Sequence, residues 1–292
     1  MAANSSTTVN SSNHLPYDCY NSRVSIYIST ASIALRTILT FPLGSLVLYL
    51  GHQRWRQQCS FKTTSHSDVF TYNMAVLNLI WGLACICIIC GVYVNLQKMI
   101  DAGIYTSSFV VCGEAFFHVL TCVERYLAVV HPITYMGLRN EHGVRIRNIS
   151  IGCVWLMSFV MTGVTALYLP DTALIPLIIL LVFSLAVVSF CSLSVLCVLI
   201  RPGPGEGGGE KQRVDQSKQR AFHTVTAILG VLGLWFVGLL ASSGLYNSHL
   251  LSTSVRCVLA ACSGWFNLPC SLMLPLLYLH RAGKLSLFCN HK

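Results

Sequence analysis

The residues in this chain that could do chemistry stand out by where they lie. Arg36 and Glu114 each sit deep inside an apolar run. A charge at the centre of the hydrocarbon costs about 2.5–3.5 kcal/mol on insertion scales, so such groups normally face protein and find a partner. Snorkelling of Arg36 is the bland alternative, but its stem would have to reach about halfway across the hydrocarbon. Asn78 lies in a third apolar run, and His118 follows Glu114 by one helical turn. Arg36, Asn78, Glu114 and His118 therefore make one candidate intramembrane polar site. Three readings of Glu114 stand at this point: a protonated and simply buried acid, a cation ligand, or the partner of Arg36 or another base.

A second group closes the run 116–130. Glu124-Arg125-Tyr126 places an acid, a base and a phenol where hydrophobicity stops, and His131-Pro132 follow within two turns. Proline cannot continue a helix, so this one is expected to end there. An interfacial anchor would account for Arg125 alone, but not for the ordered triplet with its proline. No nucleophile–base pair and no two-histidine metal spacing is found, so no catalytic residue and no metal ligand is assigned, and the chain is read as a non-enzyme. Most of the 14 cysteines sit in apolar runs, where a thiol acts as a small hydrophobe. Cys85 and Cys87 would point about 200° apart on a helix, too far for a shared metal.

These groups need a scaffold, and composition limits its kind. The 292 residues are 54% hydrophobic and 10% charged, against about 25% charged in soluble domains. Spanning the hydrocarbon takes about 20 apolar residues. Seven stretches qualify: 24–50, 70–95, 102–130, 149–169, 173–200, 221–245 and 253–279. The expected fold is an all-α integral membrane protein, a seven-transmembrane helix bundle (24–279) between a tail (1–23) and a short interfacial helix with its tail (280–292).

The net charge of +9 follows topology rather than nucleic acid. Arg23, Lys98 and Arg256 lie on one side and Arg36 inside a span, which leaves 15 of the 19 Lys and Arg at the other side. The positive-inside rule then puts the N-terminus outside and the C-terminus in the cytoplasm. Asn4 and Asn10 head glycosylation sequons in the outer tail, and the sequon at Asn148 should stay bare inside. Residues 1–22 lack the apolar core of a signal peptide, so no cleavage is expected. The expected location is the plasma membrane.

The Glu124-Arg125-Tyr126 triplet with Pro132 resembles the end of the third helix of rhodopsin-like (class A) G-protein-coupled receptors. Leu274-Pro275-Leu276-Leu277-Tyr278 resembles the family's Asn-Pro-x-x-Tyr, and Ala221 to Thr224 the base of its sixth helix. Trp155 resembles its single tryptophan in the fourth. The resemblance implies that Glu124, Arg125, Tyr126, Pro132, Thr224, Pro275 and Tyr278 serve activation and G-protein coupling. It also implies a short helix after span seven, with Cys289 as a palmitoylation site.

Several features depart from the family pattern. Asn78 stands where the family has an aspartate that helps bind sodium, so a sodium ion, if held, would rest on Glu114 with Asn78. No cofactor is otherwise expected. The usual disulfide to helix three lacks both partners, and Cys19 with Cys257 is the candidate replacement. Span six has no proline hinge, with Trp235 as its bulky residue, and Leu274 replaces the family's asparagine. The implied function is an atypical or orphan receptor passing the binding of an unknown extracellular ligand to a heterotrimeric G-protein, in contact with lipid and with a receptor dimer among its possible states. Two alternatives are a non-coupling seven-helix scavenger or heterodimer partner, and a secondary transporter.

Overall fold

Each apolar run folds as a helix, because in lipid every backbone N–H and C=O must be satisfied within the segment. The computed structural model describes residues 23–58, 66–138, 140–168, 174–200, 210–247 and 251–281. The helices are α1 (Arg23–Gln58), α2 (His66–Val94), α3 (Gln97–Val130), α4 (Pro132–Gly137), α5 (Glu141–Tyr168), α6 (Leu174–Ile200), α7 (Glu210–Asn247) and α8 (Thr253–Arg281). All but the short α4 are long and apolar enough to cross a membrane. The protein is thus an all-α, seven-helix, multi-pass membrane bundle, with no strand among the described residues. Residues 1–22 and 282–292, with Asn4, Asn10, Cys289 and most of the expected interfacial helix, lie outside the described residues.

Helix α3 is the axis of the bundle. It packs against α2, α5, α6, α7 and α8, while α1 closes the ring between α2 and α8. Val110, Ala115, Phe117 and Cys122 of α3 are wholly buried. By contrast α5 turns Leu156, Phe159 and Val160 outward, as a helix bathed in hydrocarbon does.

Two of the helix ends are built from local chemistry. Asn95 takes φ +56°, the left-handed conformation that asparagine tolerates better than most residues, and Leu96 N–H reaches back to the Gly91 carbonyl at 2.9 Å. This caps α2 and starts α3 at Gln97, earlier than the apolar run implied. At the other end of α3, His131 leaves helical geometry (φ −126°, ψ 63°) and Pro132 opens α4, where its missing N–H is no loss. The proline closes α3 as expected. Helix α7 begins at Glu210, well before the apolar run at 221, because Glu, Lys, Gln and Arg are good helix formers and carry the helix out of the membrane.

Close approach of α2 and α3 depends on Gly103. A Cβ there would lie 2.9 Å from the Ala84 carbonyl oxygen and collide with Ile88. Gly103→Val should therefore lower stability by about 1–3 kcal/mol through forced displacement. Gly163→Val, where a Cβ meets nothing within 4 Å, should leave it within about 0.5 kcal/mol. Thermal unfolding of both variants in detergent checks the contrast.

Candidate functional site

The candidate polar site forms one centre in the middle of the bundle. Arg36 Nη2 donates to Glu114 Oε1 at 2.7 Å, with the two side chains 3% and 0% exposed. Of the three readings of Glu114, pairing with Arg36 is the arrangement found. The guanidinium also lies flat against Trp81, its central carbon 3.7 Å from the ring centroid. That stacking suits a planar, weakly hydrated cation better than an ammonium. Ser271 Oγ donates to the other carboxylate oxygen, Oε2, at 3.3 Å.

A proline explains why α8 takes part. Pro275 has no N–H, so the Ser271 carbonyl one turn earlier loses its intrahelical donor. Asn78 Nδ2 fills that vacancy from α2 at 3.4 Å. One residue before, the Cys270 carbonyl meets His118 Nε2 at 3.0 Å. A carbonyl only accepts, so Nε2 carries the hydrogen and Nδ1 is left without a partner. Arg36, Asn78, Glu114 and His118 are thus brought together, with α8 as the shared neighbour.

Sequence reasoning missed Ser271, Cys270 and Trp81. Pro275 was the available signal for Ser271, four residues upstream. It also missed Asn73, whose Oδ1 accepts from Trp155 Nε1 at 3.0 Å and ties α2 to α5. The arrangement does not fit a sodium ion: one Glu114 oxygen is taken by a guanidinium and the other by a hydroxyl donor, and a second cation would meet the first.

Above this centre, toward the N-terminal end of α1, lies a cavity of about 410 Å³. Helices α1, α2, α3, α5, α7 and α8 enclose it. Arg36, Trp81 and Asn267 contribute to its lining, and Trp235 of α7 forms part of the wall. Trp235 is buried, in keeping with its expected role as a bulky core residue.

The opposite end holds a second polar group. Tyr135 OH donates to Glu124 Oε1 at 2.9 Å, a contact made possible because Pro132 starts α4 and turns Tyr135 back toward α3. Arg125 Nε lies 3.4 Å from Glu124 Oε2, an ion pair within one helix. Tyr126 OH meets His131 Nε2 at 3.2 Å. Thr224 of α7 is buried. Tyr278 lies at the same end but in a different group: its OH is 3.2 Å from Tyr72 OH, and the Arg54 guanidinium lies 5.3 Å from its ring centroid. Arg54 in turn pairs with Asp68 at 3.8 Å. Of the activation residues that the resemblance singled out, Glu124, Arg125 and Tyr126 thus belong to polar contacts on α3–α4 and Tyr278 to a separate group on α1–α2–α8, while Thr224 lies on α7 in neither.

No family model matches the sequence, and no curated protein matches it. Cys257 is disulfide-bonded, and Cys19, its expected partner, lies outside the described residues.

Breaking one half of a buried ion pair strands the other charge. Arg36→Ala should cost about 3–5 kcal/mol of stability, whereas the double variant Arg36→Met/Glu114→Leu should recover all or most of it. Unfolding temperatures of parent, single and double variants in detergent measure the difference.

Proposed function

We propose that this protein is a receptor of the rhodopsin-like kind, with its N-terminus outside the plasma membrane and its C-terminus in the cytoplasm. A small ligand would enter the cavity, and the Glu124-Arg125-Tyr126 end of α3 would engage a heterotrimeric G-protein. The observation that carries this reading is the course of α3. Its first half lines a ligand-sized cavity, its middle holds Glu114, and its penultimate turn carries the charged triplet. One unbroken central helix thus joins a cavity to an acid–arginine pair, Glu124 with Arg125, at the opposite end.

The energetic requirement is differential affinity. A ligand moves the bundle from 1:99 to 99:1 in favour of an open state only if it binds that state about 10⁴-fold tighter. Arg125 lies in an ion pair with Glu124, and Glu124 accepts a hydrogen bond from Tyr135. Opening requires Arg125 to leave that pair and offer its guanidinium to the helix of a partner. A second reading, a seven-helix binder that does not couple, is favoured by one observation: α7 carries no proline at which to hinge, while α8 carries two.

Nucleotide exchange on a panel of heterotrimeric G-proteins separates the two readings. Membranes holding the parent should accelerate exchange above the blank on at least one G-protein, and Arg125→Ala at equal surface expression should return it to the blank. Exchange that is indifferent to Arg125 would sink the coupling role.

A further inference from the structure

The cavity has a chemical preference that the receptor reading alone does not supply. Arg36 is the only charged side chain among the described residues that line it. Glu114 stands behind Arg36, fully buried and outside the lining, so an entering molecule meets the cation first.

The guanidinium has donors to spare. It offers five N–H groups, and Nη2 is the one given to Glu114. Its Nε is buried with no acceptor, and Nε1 of Trp81, on whose ring it rests, has only the weak acceptor of the Cys85 thiol beside it. Two buried donors without a strong acceptor on neighbouring lining residues are a costly arrangement unless one comes to them. The remaining lining is a mixture of aliphatic side chains, such as Ile33, Ile104 and Leu239, scattered hydroxyls such as Ser32, and one amide, Asn267, whose buried Oδ1 is a single acceptor without a donor beside the Arg36 cation. At about 410 Å³ the space is near the lower end of the range for small-molecule pockets.

We infer that the cavity binds a small amphipathic carboxylate, its head on Arg36 and Trp81 Nε1 and its apolar body against the aliphatic walls. The inference rests on the receptor reading, because it names the ligand class for the same cavity. Charge selects the class. An amine would place its cation against Arg36 with the balancing carboxylate out of reach behind it. A neutral head would satisfy a donor but gain no charge-assisted bond. A carboxylate accepts from both donors and completes a guanidinium shared between two acids.

The test uses three probes with one body and different heads: 4-phenylbutyrate, 4-phenylbutan-1-ol and 4-phenylbutylamine. Saturable binding is measured by equilibrium dialysis on the full chain in lipid nanodiscs, with empty nanodiscs as blank. The carboxylate should bind about tenfold tighter than the alcohol, the ratio one charge-assisted bond supplies, and the amine should bind weakest. In Arg36→Met/Glu114→Leu the alcohol should still bind, and the carboxylate should lose its advantage. Absence of saturable carboxylate binding to the parent, an amine that matches the carboxylate, or an advantage that survives the double variant would each overturn the inference. The head-group comparison on the parent decides the matter even if the double variant fails to fold. Because the readout is binding, the outcomes separate. Carboxylate binding without any nucleotide exchange would count against coupling alone, and Arg125-dependent exchange without carboxylate preference would count against this ligand class alone.

Discussion

The bundle is arranged around one ion pair, neither half of which can be left alone. Arg36 and Glu114 are opposite charges almost wholly enclosed by protein, and their attraction is far stronger there than at a surface. Each alone would be expensive to bury; together, with Ser271 on the second carboxylate oxygen and Trp81 beneath the guanidinium, they become a neutral, hydrogen-bonded unit. The consequence is clearest for α1. Only 22% of its membrane-crossing window is buried, so apolar packing holds it loosely, yet Arg36 on that helix is almost completely enclosed. The pair fastens this loosely packed helix to the central one, and through Ser271 and Asn78 it enlists α8 and α2.

The two ends of the molecule are organised differently around this centre. The cavity end is mainly apolar and lined by six helices, with one cation at its base. The opposite end is a set of short polar contacts within or between neighbouring helices: Glu124 with Arg125 and Tyr135, Tyr72 with Tyr278, Arg54 with Asp68. Contacts of that second kind are partly exposed and individually weak, so they can be exchanged for others at small cost. The central pair cannot be exchanged in that way, since parting it would strand two buried charges.

Much of this was legible along the chain. Length and hydropathy reveal seven spans because the bilayer imposes a length on every crossing helix. His131-Pro132 mark the end of α3 because a missing N–H acts locally. Depth is legible too: counting turns back from Arg125 puts Glu114 at mid-membrane. What a linear reading leaves open is which residues meet. Arg36 and Glu114 are 78 positions apart, and nothing periodic connects them, so pairing stood as one of three readings of Glu114. Tyr278 and Tyr72 are 206 apart, and their contact depends on how α8 rotates against α2. Ser271 shows why such contacts are hard to foresee. Its carbonyl becomes an acceptor because of a proline four residues later, and its donor comes from another helix. The early starts of α3 and α7 were missed for a simpler reason: hydropathy measures what is in the membrane, and both helices continue beyond it.

The absence of proline from α7 has a mechanical side. Its 38 residues form a hydrogen-bonded rod of about 57 Å, whereas α8 is interrupted at Pro269 and Pro275. A rod without a joint does not bend where it is pushed; it pivots. Trp235 and Leu239 touch the cavity near one end of that rod, and the segment from Glu210 projects beyond the membrane-crossing portion at the other. For a pivot at the buried Leu232, the arm to Glu210 is 22 residues and the arm to Leu239 is seven, about 33 Å against about 11 Å. A displacement too small to open the cavity would therefore arrive at the projecting end multiplied, with α7 acting as a lever and its neighbour α8 as the compliant member that lets it turn.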